Sequence, residues 1–159
     1  MPSLGIFKTA MKVLDRGRLH ISAICVGVAT RLIEDAVNFA AERKQFGKPI
    51  IEHQLIQAML ADSRAEMFAG RSMVLEAARS KDRGEKVSLD ASCCKLFCSE
   101  MVGRVADRAV QIHGGAGYMA DYAVERFYRD VRLFRIYEGT TQIQQIVIAR
   151  ELARQAGNS

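Results

Sequence analysis

Residues 56–74 read IQAMLADSRAEMFAGRSMV, and Ile56, Met59, Leu60, Ser63, Met67, Gly70 and Val74 advance along them by threes and fours. That step matches the 3.6-residue turn of an α-helix and lays one stripe along a single face. The polar stretch from Ser80 to Gly84 closes this helix. The same period continues on both sides. Upstream, Ile21, Ile24, Cys25, Val28 and Leu32 share a stripe on a helix predicted from near Phe7 to Lys44. Gly47 followed closely by Pro49 stops it. Downstream, Cys94, Cys98, Met101, Val105 and Ala109 mark a helix over about 89–112, ended by the glycines at 114, 115 and 117. A shorter helical piece is expected over 122–127, with an irregular link through Arg135. The last helix begins after Gly139. Thr141 and Gln144 have the spacing of a capping box, and Ile143, Ile146 and Val147 offer its apolar face. Strand character is weak and confined to 131–137. Four long amphipathic helices with short links predict an all-α, up-down-up-down four-helix bundle, a single domain over 1–159.

Composition agrees with that fold. Hydrophobic residues make up 49% and charged residues 26% of 159, with only two prolines to interrupt helices. No apolar run approaches the ~20 residues needed to span a bilayer. The amino terminus lacks a signal-peptide layout, so a cytoplasmic protein with no membrane association is expected. Three of the four cysteines, Cys93, Cys94 and Cys98, crowd together without further Cys or His at zinc-ligand spacing, so they read as core residues. His20, His53 and His113 stand far apart and no Glu-x-x-His occurs, which argues against a bundle metal site. No serine sits in a Gly-x-Ser-x-Gly elbow. The net charge of +5 and pI near 9.2 leave room for an anionic partner such as a nucleotide cofactor or a CoA phosphate. The basic residues are dispersed rather than clustered, which disfavours nucleic acid.

Chemistry concentrates at three junctions between helices. The first, Glu42-Arg43-Lys44-Gln45-Phe46-Gly47-Lys48, sets cations beside an aromatic ring at a chain reversal, suited to a phosphate and a flat base. It could equally be a charged helix end. The second, Gln111-Ile112-His113-Gly114-Gly115-Ala116-Gly117, carries more glycine than a helix stop needs and lets backbone amides approach a ligand. The third, Ile136-Tyr137-Glu138-Gly139-Thr140-Thr141-Gln142, places a carboxylate just outside a capped helix.

In this order and at these separations, the three junctions resemble the signatures of the acyl-CoA dehydrogenase family. The opening Phe7-Lys8-Thr9-Ala10-Met11-Lys12-Val13-Leu14-Asp15-Arg16-Gly17-Arg18 and the segment Val124-Glu125-Arg126-Phe127-Tyr128-Arg129-Asp130 are similar to the same family's carboxyl-terminal helical domain. The resemblance covers essentially the whole chain. It implies FAD-dependent α,β-dehydrogenation of an acyl-CoA to a trans-2-enoyl-CoA, usually with an electron-transfer flavoprotein as electron acceptor. Glu138 matches the base that removes the α-proton. Burial beside an acyl chain should raise its pKa, and the helix amino terminus should oppose that rise. The backbone amide of the same glutamate helps bind the thioester oxygen in the family, in the manner of an oxyanion hole. Some members carry the base on the first helix instead; the matching position here is Gly17, which has no side chain.

The resemblance assigns Asp15 and Arg18, with Gly139, to substrate binding; a surface ion pair is the plainer reading of the first two. It assigns Arg43, Gln45, Phe46, His53 and Gln54 to the pyrophosphate and adenosine region of FAD. Gln111, Ile112, His113, Gly114 and Gly115 would contact the adenosine, and Thr140 and Gln142 would hold the cofactor from the catalytic loop. His113 departs from the apolar residue of many relatives. In the family the first two junctions reach the FAD of a neighbouring subunit, which implies a homodimer or homotetramer. Family members also carry an amino-terminal helical domain and a middle β-domain that 159 residues cannot hold. The chain is expected to be a fragment or a truncated relative, with weak FAD binding and little turnover alone. The competing expectations are a non-catalytic self-association bundle and a basic nucleic-acid-binding relative.

Overall fold

The stripe on residues 56–74 lies within a 29-residue helix, α2 (Gln54–Asp82), which packs against the helices before and after it. The computed structural model describes residues 3–157, with side chains from Leu14 onward. α1 (Ser3–Glu42) leads into α2, and α3 (Ser88–His113) follows. α4 (Ala123–Leu133) is short, and α5 (Thr141–Gly157) closes the described chain. α3 is the hub, touching α1, α2, α4 and α5. Arg18 meets Ser92 while Phe39 meets His113, so α1 and α3 run parallel. α2 and α5 run the other way, which gives the expected up-down-up-down bundle.

Small side chains bring the helices close. Cys25, Ala29, Leu32, Ala36 and Ala40 of α1 face Cys98, Met101, Val102, Val105 and Ala106 of α3, all buried in one core cluster. On α2, a Cβ at Gly70 would stand 3.2 Å from both Cys98 Sγ and Met101 Cε, a close approach that leaves little room for any side chain. Burial pushes the thiols of Cys25 and Cys94 up to about 12 and raises Cys98 and Cys93 as well. Because the thiolate is the nucleophile, native protein at pH 8 should label with iodoacetamide first at half-buried Cys93. Peptide mapping should find the other three modified only after unfolding, and their rapid alkylation in the native state would contradict this packing.

Three local expectations change. Residues 44–49 form a hairpin, β1 (Lys44–Gln45) antiparallel to β2 (Lys48–Pro49), in the register Lys44↔Pro49 and Gln45↔Lys48. Its two-residue turn holds Phe46 at φ 53° and Gly47 at φ 81°, the left-handed pair that a type I′ turn requires. Strands of two residues carry no periodicity, so the pattern does not announce them. The link after Phe127 is helical to Leu133, because Val124 and Val131 share a buried face with arginines turned outward. Finally, Ile143 and Ile146 of α5 are exposed, whereas Gln144 is fully buried against the preceding loop.

Candidate active site

The loop between α4 and α5 makes a tight turn, with Ile136 N–H and Tyr137 N–H both donating to the Leu133 carbonyl. Two successive left-handed residues follow, Glu138 at φ 55° and Gly139 at φ 87°. For a residue with a Cβ this conformation costs roughly 1–2 kcal/mol, so the surroundings must impose it. They do so through the carbonyls. Gln144 Nε2 donates to the carbonyl oxygens of Glu138 (3.2 Å) and Gly139 (3.1 Å). Lys95 Nζ, from the core face of α3, donates to the Gly139 carbonyl at 2.7 Å. A Cβ at Gly139 would lie 2.6 Å from Gln144 Nε2, so glycine is demanded by space as well as by φ.

The start of α5 is held separately. Thr140 Oγ1 accepts from Ile143 N–H, so the capping hydroxyl is that of Thr140 and not of Thr141. Thr141 instead donates to Glu100 Oε1 (2.7 Å), and Arg135 donates to Glu100 Oε2 (3.1 Å). Gln144, expected to complete a capping box, turns to the loop carbonyls.

The Glu138 carboxylate lies over Gly17 of α1. A Cβ at that glycine would be 2.5 Å from Oε2 and 3.0 Å from Cδ. The missing side chain at Gly17 is therefore the space that the carboxylate uses. Two residues before Gly17 and one after it, Asp15 and Arg18 pair at 3.1 Å with both residues buried, so they are not a surface ion pair. Ser88 donates to Asp15 Oδ2 (2.5 Å) and Arg18 donates to Ser92 Oγ (3.3 Å), which ties α1 to α3 close to Gly17. Arg18 Nε is buried and has no partner among the described residues. The Glu138 N–H has no partner among the described residues.

The other two junctions lie at the opposite end of α1. From Gly17 to Arg43 the helix axis rises roughly 40 Å at about 1.5 Å per residue. There the hairpin projects Phe46, 93% exposed, with its ring edge-on to His53 at 5.9 Å. His53 Nε2 also meets the Gln45 carbonyl at 3.3 Å. Arg43, Gln45, Gln54 and Gln111 are exposed, as are Gly114 and Gly115, and a Cβ built on either of these glycines meets nothing within 4 Å. The side chains of Ile112 and His113 turn inward. Ile112 joins the core, and His113 stacks on Phe39 at 4.2 Å while its Nδ1 bonds the Ala109 carbonyl at 2.7 Å. An exposed guanidinium, an unpartnered aromatic face and open backbone together suit a dinucleotide's phosphates and flat base. Thr140 and half-exposed Gly139, with exposed Gln142, remain at the Glu138 end.

Residues 7–153 match the family model described as acyl-CoA dehydrogenase, C-terminal domain. The chain belongs to the acyl-CoA dehydrogenase family. It is 47% identical over 148 residues to a probable acyl-CoA dehydrogenase of Bacillus subtilis, covering 93% of this chain and 39% of that protein. It is 45% identical, with the same coverage of each, to a caffeyl-CoA reductase-Etf complex subunit of Acetobacterium woodii. Among solved structures, butyryl-CoA dehydrogenase from Megasphaera elsdenii superposes with a TM-score of 0.90 at 40% identity, over 92% of this chain and 38% of that one. The chain thus spans about two-fifths of the length of these acyl-CoA dehydrogenase relatives.

Within this acyl-CoA dehydrogenase domain, the residues that hold the Glu138 loop do not stand out in the sequence: Lys95, Glu100, Thr141 in its observed role, and Gln144. One signal was available. Lys95 falls in register with buried Ala91, Cys94, Cys98 and Val102, so a charged residue occupies the inward stripe of α3.

Proposed function

We propose that this chain supplies the base for FAD-dependent α,β-dehydrogenation of an acyl-CoA thioester, yielding a trans-2-enoyl-CoA. The observation that carries the reading is the Glu138 carboxylate, held over a side-chain-free Gly17 with its own backbone N–H unpartnered among the described residues. A Glu138 carboxylate oxygen takes the α-proton, and the electron pair of that C–H bond passes into the enolate of the thioester. The Glu138 N–H donates to the thioester oxygen where this charge develops. FAD, when bound, supplies the acceptor for the β-hydride. Arg43, Gln45, Phe46, His53, Gln54 and the backbone of 111–115 would hold it at one end of the bundle, and Thr140 and Gln142 at the other. Roughly 40 Å of helix between these groups exceeds the reach of one dinucleotide. Each cofactor therefore draws on two copies of the chain, in a homodimer or homotetramer. The exposed apolar residues Ile143, Ile146 and Leu152 of α5 fit such association.

Asp15 and Arg18, tied to Ser88 and Ser92, set the floor beneath the acyl-CoA. The relative named for an Etf complex supports an electron-transfer flavoprotein as the redox partner. The same relative is a reductase, and the reverse reaction uses the same groups: Glu138 then delivers the proton to the α-carbon. The test is to purify the protein expressed from its full gene and add acyl-CoAs of varied chain length without oxygen. Flavin absorbance that bleaches on addition is expected. A protein that carries flavin but bleaches with no acyl-CoA, and reoxidises with no enoyl-CoA after chemical reduction, would overturn the reading.

A further inference from the structure

Lys95 is 0% exposed, yet its ammonium makes a single hydrogen bond, to the Gly139 carbonyl. Burying an ammonium costs more than one hydrogen bond from a charged donor returns. For stability alone, a methionine like Met101 one to two turns further along α3 would serve better. Gln144 has the same character: it is fully buried, it spends its amide on the Glu138 and Gly139 carbonyls, and its Oε1 is left buried without a partner. Two costly polar side chains thus converge from α3 and α5 on one dipeptide. Those two residues hold the strained backbone that aims the base.

We propose that Lys95 and Gln144 are positioning residues that clamp the Glu138–Gly139 peptide, fixing both the carboxylate over Gly17 and the Glu138 N–H for the thioester oxygen. This rests on Glu138 being the base. Neither residue touches the space where substrate would meet that carboxylate; they act through the loop carbonyls. Burial lowers the Lys95 pKa below the usual lysine range, and nearby Arg18 adds to the lowering. The nearby carboxylates of Glu100 and Glu138 oppose that lowering only in part.

The experiment compares Lys95→Met with wild type and Glu138→Gln in the protein expressed from its full gene. For Lys95→Met we expect unchanged flavin content, an acyl-CoA KM within about twofold, and a melting temperature equal to or above wild type. We expect kcat and exchange of the substrate α-hydrogen with D2O to fall together by roughly 10–100-fold, the scale of a misplaced reacting group. Wild-type kcat in Lys95→Met overturns the clamp. So does a loss of turnover that merely follows a lower melting temperature or lost flavin, because that is the signature of a structural role. Should Lys95→Met fail to fold, Gln144→Met strips the same carbonyls and is judged by the same criteria. Turnover that survives Glu138→Gln while Lys95→Met lowers it would overturn the base assignment, a failure distinct from that of the clamp.

Discussion

Glu138→Gln, in the protein expressed from its full gene, is expected to keep its flavin and its melting temperature while kcat falls by about 10³-fold or more. The fold has little reason to change. The clamps on this loop grip the backbone carbonyls of Glu138 and Gly139, and among the described residues no hydrogen bond uses the carboxylate. Glutamine preserves the length and shape that sit over Gly17 and removes only the ability to take a proton. Substrate should still bind, since the N–H that faces the thioester oxygen belongs to the backbone. Steady-state kinetics on an acyl-CoA, with flavin absorbance and a thermal melt on the same preparation, check all three expectations. Equal loss of flavin and of turnover would mean that the side chain holds the loop together.

Gly17→Ala should separate stability from activity in the opposite direction. Gly17 lies inside α1, where alanine is favoured over glycine by about 0.5–1 kcal/mol. The new Cβ would nonetheless stand 2.5 Å from Glu138 Oε2, so the carboxylate must swing aside. It can, because it is the free end of an exposed side chain, and the melting temperature should hold or rise slightly. Moving a base by about an ångström costs on the order of 10²-fold in rate, so kcat should fall that far. A Gly17→Ala protein with wild-type kcat would show that the carboxylate acts from somewhere other than over this glycine.

How far the sequence reveals these features depends on which physical signal each one leaves. α2 and α3 are plain because their core-facing positions recur at helical spacing over several turns. α4 is harder, since Arg126, Arg129 and Arg132 dilute a face carried by Val124, Phe127 and Val131. The hairpin at 44–49 leaves no periodic trace, although Phe46-Gly47 is its turn. On α5 hydrophobicity misleads: Ile143 and Ile146 look inward by composition but stay exposed, while Gln144 is taken inward by two carbonyls that need donors. Glu138 stands out only through its motif. Nothing in residues 136–142 alone says that Glu138 would meet Gly17, more than a hundred residues earlier, because that contact exists only once α1 and α5 are both docked on α3. Lys95 is harder still to read, because lysine is ordinarily exposed and its one partner is a backbone oxygen.

The central claim is that Glu138 removes the α-proton, and isotope exchange tests it without depending on complete turnover. The protein from the full gene is incubated with an acyl-CoA in D2O, and loss of the α-hydrogen signal is followed by proton NMR for wild type and Glu138→Gln. Wild type is predicted to exchange the α-hydrogen, and Glu138→Gln, with its flavin still bound, to leave it in place. Exchange at the wild-type rate in Glu138→Gln would contradict the account.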